Sequence, residues 1–378
     1  MKAFLAKELY DGEAHRRDVF VVIGDDGKIE YVGDQRPEGL EIEEVPVITP
    51  AFIDVHSHIG LTRWGQPSND SDVNDYIEFT NSTIEAFDAF DHEDPALKEA
   101  VEFGVLVSCI LPGSGNLIGG EGAVIYNHGV LKNDRYIKSG GLKGALGENP
   151  KFAGENKGNR PTTRLGVFGI LRQNLEEAVS LQKLLEKGKK DWDEIDVKKR
   201  KWIKLLRGEE ILRCHVHTEA DLLALFRIAD QYNFKFMVEH GGNLHNDAMF
   251  EELVKRGVPF NYGPIDAFAY KYELRFDTWR NLEKMRKVGL KFALMTDHPV
   301  VLSRNLFLQL RYFLLVGYSK AEAIATITKN AAQNLGLDDR MGTIAKGKEA
   351  NLLIWETDPF ELPSKPKRVV FKGEVVAG

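Results

Sequence analysis

Cysteine is nearly missing from this chain of 378 residues, which has only Cys109 and Cys214. Two cannot build a disulfide framework, and their spacing is not that of a zinc ribbon, so a reducing compartment is expected. Long apolar runs are missing too. No stretch reaches the roughly 18 to 20 residues of a membrane span, and the opening residues, MKAFLAKELYDGEAHRRD, hold no apolar signal core. The expectation is a cytoplasmic protein without membrane contact. Nor is there a basic excess: 50 Lys and Arg against 57 Asp and Glu give a net charge of −7, with no electrostatic reason to approach phosphate backbones. Nucleic acid is therefore not an expected partner. What the chain does have is 43% apolar and 10% aromatic residues, enough to bury a large core, which argues against disorder.

Near the start, DVFVVIGDDGKIEYVGD sets apolar runs on either side of Asp25-Asp26-Gly27, a hairpin pattern, and EANLLIWE and KRVVFKGEVV repeat the β character near the end. Chain ends often lie close together, so one small sheet built from both is favoured over two unrelated hairpins. Between them, apolar runs alternate with amphipathic helical patterns, the order that builds parallel sheets through βαβ units. Eight candidate strands fall at 51–58, 104–111, 122–129, 141–147, 211–218, 234–240, 258–262 and 290–296, and eight closes a (β/α) barrel. Helices are expected at 219–232, 246–256, 277–288, 303–316 and 319–334, with a long helical stretch over 163–207. The third and fourth strands have too little chain between them for a long helix, which argues against a perfectly regular barrel.

Histidine carries the chemistry. His56 and His58 are two apart on a predicted strand, so both side chains leave one face about 7 Å apart, close enough to converge on one cation. His215 and His217 repeat the pattern, His240 ends the next strand in VEHGG, and Asp297 ends the last in LMTDHP. These are strand C-termini, where barrels place their active groups. Singly, each is as well explained as a polar strand end or helix cap. Several converging are hard to explain as packing. Imidazole with carboxylate is the ligand set of zinc or a similar divalent ion, whereas phosphate cradling needs a Gly-rich loop before a helix. His128, at the end of the third candidate strand, either lines the pocket or is structural.

ITPAFIDVHSHIG resembles the first barrel strand of the amidohydrolase superfamily, and GTIAKGKEANLLIWETDPFE resembles its return to a small β-sandwich. PGSGNLIGG, GLKGALGENPK, HVHTEADLLALFRIAD, VEHG, TDHP and NAAQNLGLDDRMGTIAKGK are similar to the branch of imidazolonepropionase-like proteins and metal-dependent dipeptidases. Ala51 departs from the pattern, which usually has Gly after Pro50. The resemblance implies an α/β fold: a (β/α)8 TIM-type barrel over 50–343, with a small β-sandwich domain formed by 1–49 and 344–378. It carries metal ligands onto His56, His58, His215, His240 and Asp297. Many members also bridge two metals from the fourth strand. Here depth favours Glu148, with a carboxylated Lys143 as the alternative.

The implied activity is hydrolysis of an amide or peptide bond in a small molecule, dipeptide-like or cyclic. The expected cofactors are two divalent metal ions, zinc ahead of manganese, cobalt or iron. One is held by His56, His58, Glu148 and Asp297, the other by Glu148, His215 and His240, with water between them made nucleophilic near neutral pH. Asp297 moves the proton to the departing amine, and His217 hydrogen-bonds the carbonyl or substrate. In the alternative, a single ion serves an imidazolonepropionase-like ring opening or a deamination, with Glu148 or His240 acting on substrate. Deaminases of this superfamily place Glu three residues after the fifth-strand His, and here Thr218 stands there, with Glu219 one later. A non-catalytic scaffold would be expected to lose ligands. Arg63, Arg160, Arg164 and Tyr262 are candidates for contact with a substrate carboxylate. The acidic segment 61–95 is either a rim favouring a cationic substrate group or a solvated loop. Homo-oligomers are common among family members, but no stripe here marks an interface.

Overall fold

The computed structural model describes residues 1–63, 71–155 and 160–378. Runs such as VLVSCI are buried along their whole length, as strands covered on both faces must be. β5 (Phe52–Ser57), β6 (Val105–Ile110), β7 (Ile118–Tyr126), β8 (Tyr136–Ala145), β9 (Leu212–Val216), β10 (Phe236–His240), β11 (Phe260–Tyr262) and β12 (Ala293–Leu294) pair in chain order. Past β12 the chain runs beside β5: Asp297 N–H donates to His56 O and His58 N–H to His298 O, both at 3.0 Å. The sheet is thus bent into a nearly closed barrel, with a strand in each of the eight expected segments.

One strand departs from the expected all-parallel pattern. β7 is antiparallel to both β6 and β8. A parallel connection needs a crossover of a dozen or more residues, and only 127–135 separate β7 from β8. The chain therefore turns back as a hairpin.

Helices pack outside the barrel. That at Glu219–Tyr232 starts at Thr218, whose Oγ1 accepts from Asp221 N–H at 3.2 Å, and ends at Asn233 in the left-handed region (φ 53°). The helix expected over 319–334 is two, Lys320–Thr326 and Lys329–Leu335. Between them Ile327 O accepts from Ile53 N–H of β5 at 2.8 Å, so the chain leaves the helical path there to bond the barrel. The 303–316 stretch is likewise broken, into two 3₁₀ turns and a helix at Arg311–Leu315. Among the described residues, no helix is long and apolar enough to cross a membrane.

Both termini do share one sheet. β1 (Lys2–Tyr10), β2 (His15–Ile23), β3 (Ile29–Gly33) and β4 (Ile42–Pro50) join β13 (Leu352–Trp355), β14 (Arg368–Phe371) and β15 (Glu374–Ala377) in the continuous order β15-β14-β13-β4-β1-β2-β3. Phe4, Leu9, Val21, Ile48, Leu352 and Ile354 form its own apolar cluster. Trp355 ties this sheet to the barrel: its Nε1–H donates to Thr49 Oγ1 at 3.1 Å, and its ring lies 6.2 Å from Phe52 and 5.6 Å from Phe307. Trp355→Ala is expected to cost about 3–5 kcal/mol in urea unfolding. A loss below about 1 kcal/mol would show that the ring does not join the two parts.

Candidate metal centre

His56 on β5, His215 on β9 and His240 at the end of β10 are buried and meet at one end of the barrel, where Asp297 follows β12. Ring centroids are 4.8 Å apart for His56 and His240, and 4.3 Å for His215 and His240. Ligand atoms of His56, His240 and Asp297 all lie within 4.8 Å of one another, as do those of His215, His217 and His240. His58 joins through Nε2, 3.1 Å from Asp297 Oδ1.

Each ring is held from behind. His56 Nδ1–H donates to Glu239 Oε2 at 2.8 Å, His58 Nδ1–H to Leu111 O at 2.7 Å, and His240 Nδ1–H to Gly263 O at 3.1 Å. His215 Nδ1 bonds to Ser114 Oγ at 2.9 Å. A proton held at Nδ1 leaves the lone pair at Nε2, which faces the shared cavity. Two of these residues also have strained backbone: His240 (φ 77°) and Asp297 (φ 51°) are non-glycine residues in left-handed conformations. Such conformations cost on the order of 1–3 kcal/mol each and persist where the surroundings over-determine them.

Burial drives the basicity of the rings down, to about 3 for His56 and about 4 for His240, and well below the ordinary histidine value for His215 and His217. All four are therefore neutral at pH 7. Burial alone pushes Asp297 up, but the imidazoles of His240 and His58 outweigh it and hold the carboxyl well below the usual range. His56 Nε2, His215 Nε2, His217 Nδ1 and His240 Nε2 are buried without a hydrogen-bond partner among the described residues. One such atom costs about 1–3 kcal/mol. Four around one carboxylate fit a divalent cation in donor type and in charge.

Two groups that the sequence patterns did not reveal, the buried Glu239 and the half-buried Ser114, support this arrangement. Glu239 accepts from Arg213 Nε–H at 2.7 Å and from Asn261 Nδ2–H at 3.0 Å as well as from His56. Burial opposes its ionisation, yet Arg213 and His56 bring its pKa down to about 2. Ser114 lies in the loop between β6 and β7, where Gly113 packs so closely on Asn74 that a Cβ would come within 2.4 Å of Asn74 Nδ2. That approach explains a glycine in PGSGNLIGG.

Lys143 of β8 is fully buried, and its Nζ donates to Pro112 O at 2.9 Å and Ser114 Oγ at 3.2 Å. Glu148 is not in either group of converging ligands. It opens the helix Glu148–Glu155, with Oε2 3.4 Å from the Glu273 amide. His128 is not at this site: β7 runs antiparallel, its Tyr126 pairs with Val107 near the start of β6, and the His128 ring packs 5.2 Å from Phe371 of β14. Tyr262 is buried in the apolar core beside Phe260 and Phe292. Arg63 pairs with Asp72 and Asp91, Arg164 with Asp221, and Arg160 bonds to Asn116 Oδ1 and Glu78 O. Within the acidic segment, 64–70 lie outside the described residues.

Glu239→Gln is expected to lower affinity for a divalent ion about 10- to 100-fold by leaving Arg213 unpaired and His56 poorly oriented. Metal titration of the folded variant measures this, and undiminished affinity would separate Glu239 from the site.

The amidohydrolase family profile matches residues 210–376. Over its whole length the chain is similar to a solved amidohydrolase of Thermotoga maritima, with TM-score 0.92 and 31% identity covering 100% of this chain and 99% of that one. The amidohydrolase tasK of Hapsidospora irregularis is 26% identical over 359 residues, 86% of this chain and 36% of that protein. An imidazolonepropionase of Verminephrobacter eiseniae is 39% identical over 87 residues, 22% of this chain and 19% of that protein. The chain thus spans about a third of the first curated relative and about a fifth of the second. With a likeness in fold and sequence that covers both chains from end to end and the converging imidazoles and carboxylate already described, the chain belongs to the amidohydrolase family.

Proposed function

We propose that this chain hydrolyses an amide or peptide C–N bond of a small molecule with the help of two divalent ions, zinc first among them. The observation that carries this is the set of four buried imidazole nitrogens without partners among the described residues, brought by three strands, β5, β9 and β10, to the cavity that Asp297 also lines. His56, His58 and Asp297 would hold one ion, and His215 and His240 the other. Divalent ions there supply Lewis acidity toward the scissile carbonyl and lower the pKa of water. Asp297, anionic at neutral pH, takes up the proton released in the attack and delivers it to the departing nitrogen. His217, with Nδ1 unpartnered, is read as the group that orients the substrate carbonyl.

For the bridging place we put Lys143 ahead of Glu148. Burial lowers the Lys143 amine to about 8, so part of it is neutral near pH 7, the form that adds carbon dioxide to become a carbamate. Deamination fits less well. Thr218 caps its helix, and Glu219 Oε1 accepts the amides of His245 (3.0 Å) and Asn246 (2.8 Å), which holds it on a different task.

Asp297→Asn is expected to reduce kcat/KM for amide hydrolysis about 10²- to 10⁴-fold. Activity within a few fold of the parent would remove Asp297 from proton transfer. Lys143→Met should release bound metal while Glu148→Gln keeps it. Metal content measured in the reverse order would return the bridge to Glu148.

A further inference from the structure

The cavity above the histidines, about 260 Å³, has a mixed wall, in which Val73, Leu274 and Val300 stand among uncharged polar groups such as Thr62, Asn74 and Asn149. Apart from the histidines, charge enters that wall with one sign. No lysine or arginine is among the described residues that line it, whereas Asp277 is, in the segment between β11 and the helix Asn281–Lys287. The arginines expected to meet a substrate carboxylate are engaged elsewhere, Arg63 with Asp72 and Arg164 with Asp221. Lys271, in the same segment as Asp277, pairs with Glu273 at 2.7 Å and donates to Asn149 Oδ1 at 2.7 Å.

Asp277 has no cationic partner among the described residues, and the group that does bond to its carboxyl is the Thr278 backbone amide. Gly242 stands against that carboxyl. A Cβ at 242 would come within 3.3 Å of Asp277 Cγ and Oδ2, so glycine there leaves the carboxyl room at the cavity wall. Burial pushes the Asp277 pKa up to about 7. A cation placed beside it would reverse that shift and form a charge-assisted hydrogen bond in a partly desolvated site.

We propose that Asp277 is the specificity residue of this site and selects amides that carry an organic cation, ammonium or guanidinium, and no free carboxylate. The proposal rests on the hydrolase reading above. A carboxylate on the substrate would meet Asp277 in a wall where no lysine or arginine among the described lining residues stands to pair with it. A cation would find Asp277 unpaired.

The test uses the full-length, metal-loaded protein and blocked amides matched in shape but not in charge: N-acetyl-lysine amide against N-acetyl-norleucine amide, and N-acetyl-arginine amide against N-acetyl-citrulline amide. The cationic member of each pair is expected to have a kcat/KM roughly tenfold or more above its neutral match, and Asp277→Asn should bring the ratio toward one. Equal rates within the pairs in the parent protein would overturn the proposal without any variant and leave the hydrolase reading intact. So would an unchanged ratio in a folded Asp277→Asn. Binding of butylammonium against butanol, followed by calorimetry, gives a readout that needs no turnover. Selective binding of the ammonium that is lost in Asp277→Asn, with none of the amides hydrolysed, would uphold the charge selection and discard the hydrolase reading.

Discussion

The whole centre depends on where four protons sit. Glu239, Leu111 O, Ser114 and Gly263 O each engage an Nδ1 atom, and the rings they hold can then offer only Nε2 to the cavity. Without those bonds, an imidazole could rotate or change tautomer, and the lone pairs would no longer point to one place. Three of the four partners are main-chain or small polar groups in the segments that follow β6 and β11. The metal-facing geometry is therefore set by loop backbone as much as by the strands that carry the histidines.

The polar network inside the barrel is the other half of the constraint. Arg213 lies fully buried, donates to Val55 O at 2.6 Å and to Gly140 O at 3.2 Å, and ion-pairs with Glu239. A buried ion pair is a poor source of net stability, because desolvation offsets much of the Coulomb gain. Its value here is orientation. The pair spans β5, β8, β9 and β10, so the strands that bear His56, His215 and His240 are cross-linked beneath the cavity.

Much of this was readable from the chain because alternation along a strand is a strict rule. His56 and His58, and His215 and His217, declare a shared face by their spacing, and Arg213 belongs with the second pair for the same reason. His240 does not follow that rule. Glu239 stands in register with His215 and shares its face, so His240 beside it should face the opposite way, and the left-handed backbone at 240 goes with its turn toward the same cavity. No local pattern announces that conformation in a histidine. Of the two roles open to His128, the structure supports the structural one, because strand direction depends on the connection that follows and the link 127–135 is too short for a parallel crossover. Glu148 lies beyond the end of β8 at Ala145, a boundary that apolar runs do not define closely. Asp277 lies in irregular chain, where no periodicity exists to mark it.

The reversed strand has a consequence for how such a barrel can vary. A regular barrel presents every strand-to-helix connection on its active rim, but here the link 127–135 is turned to the far side, beneath β14. Length can be added there without reaching the substrate. The opposite turn, 111–117, has no such freedom, since it supplies Leu111 O, Pro112 O and Ser114 to three different side chains of the centre. Divergence in this lineage should therefore concentrate in the rim segments after β5, β8 and β11, while the β6–β7 turn stays fixed in length.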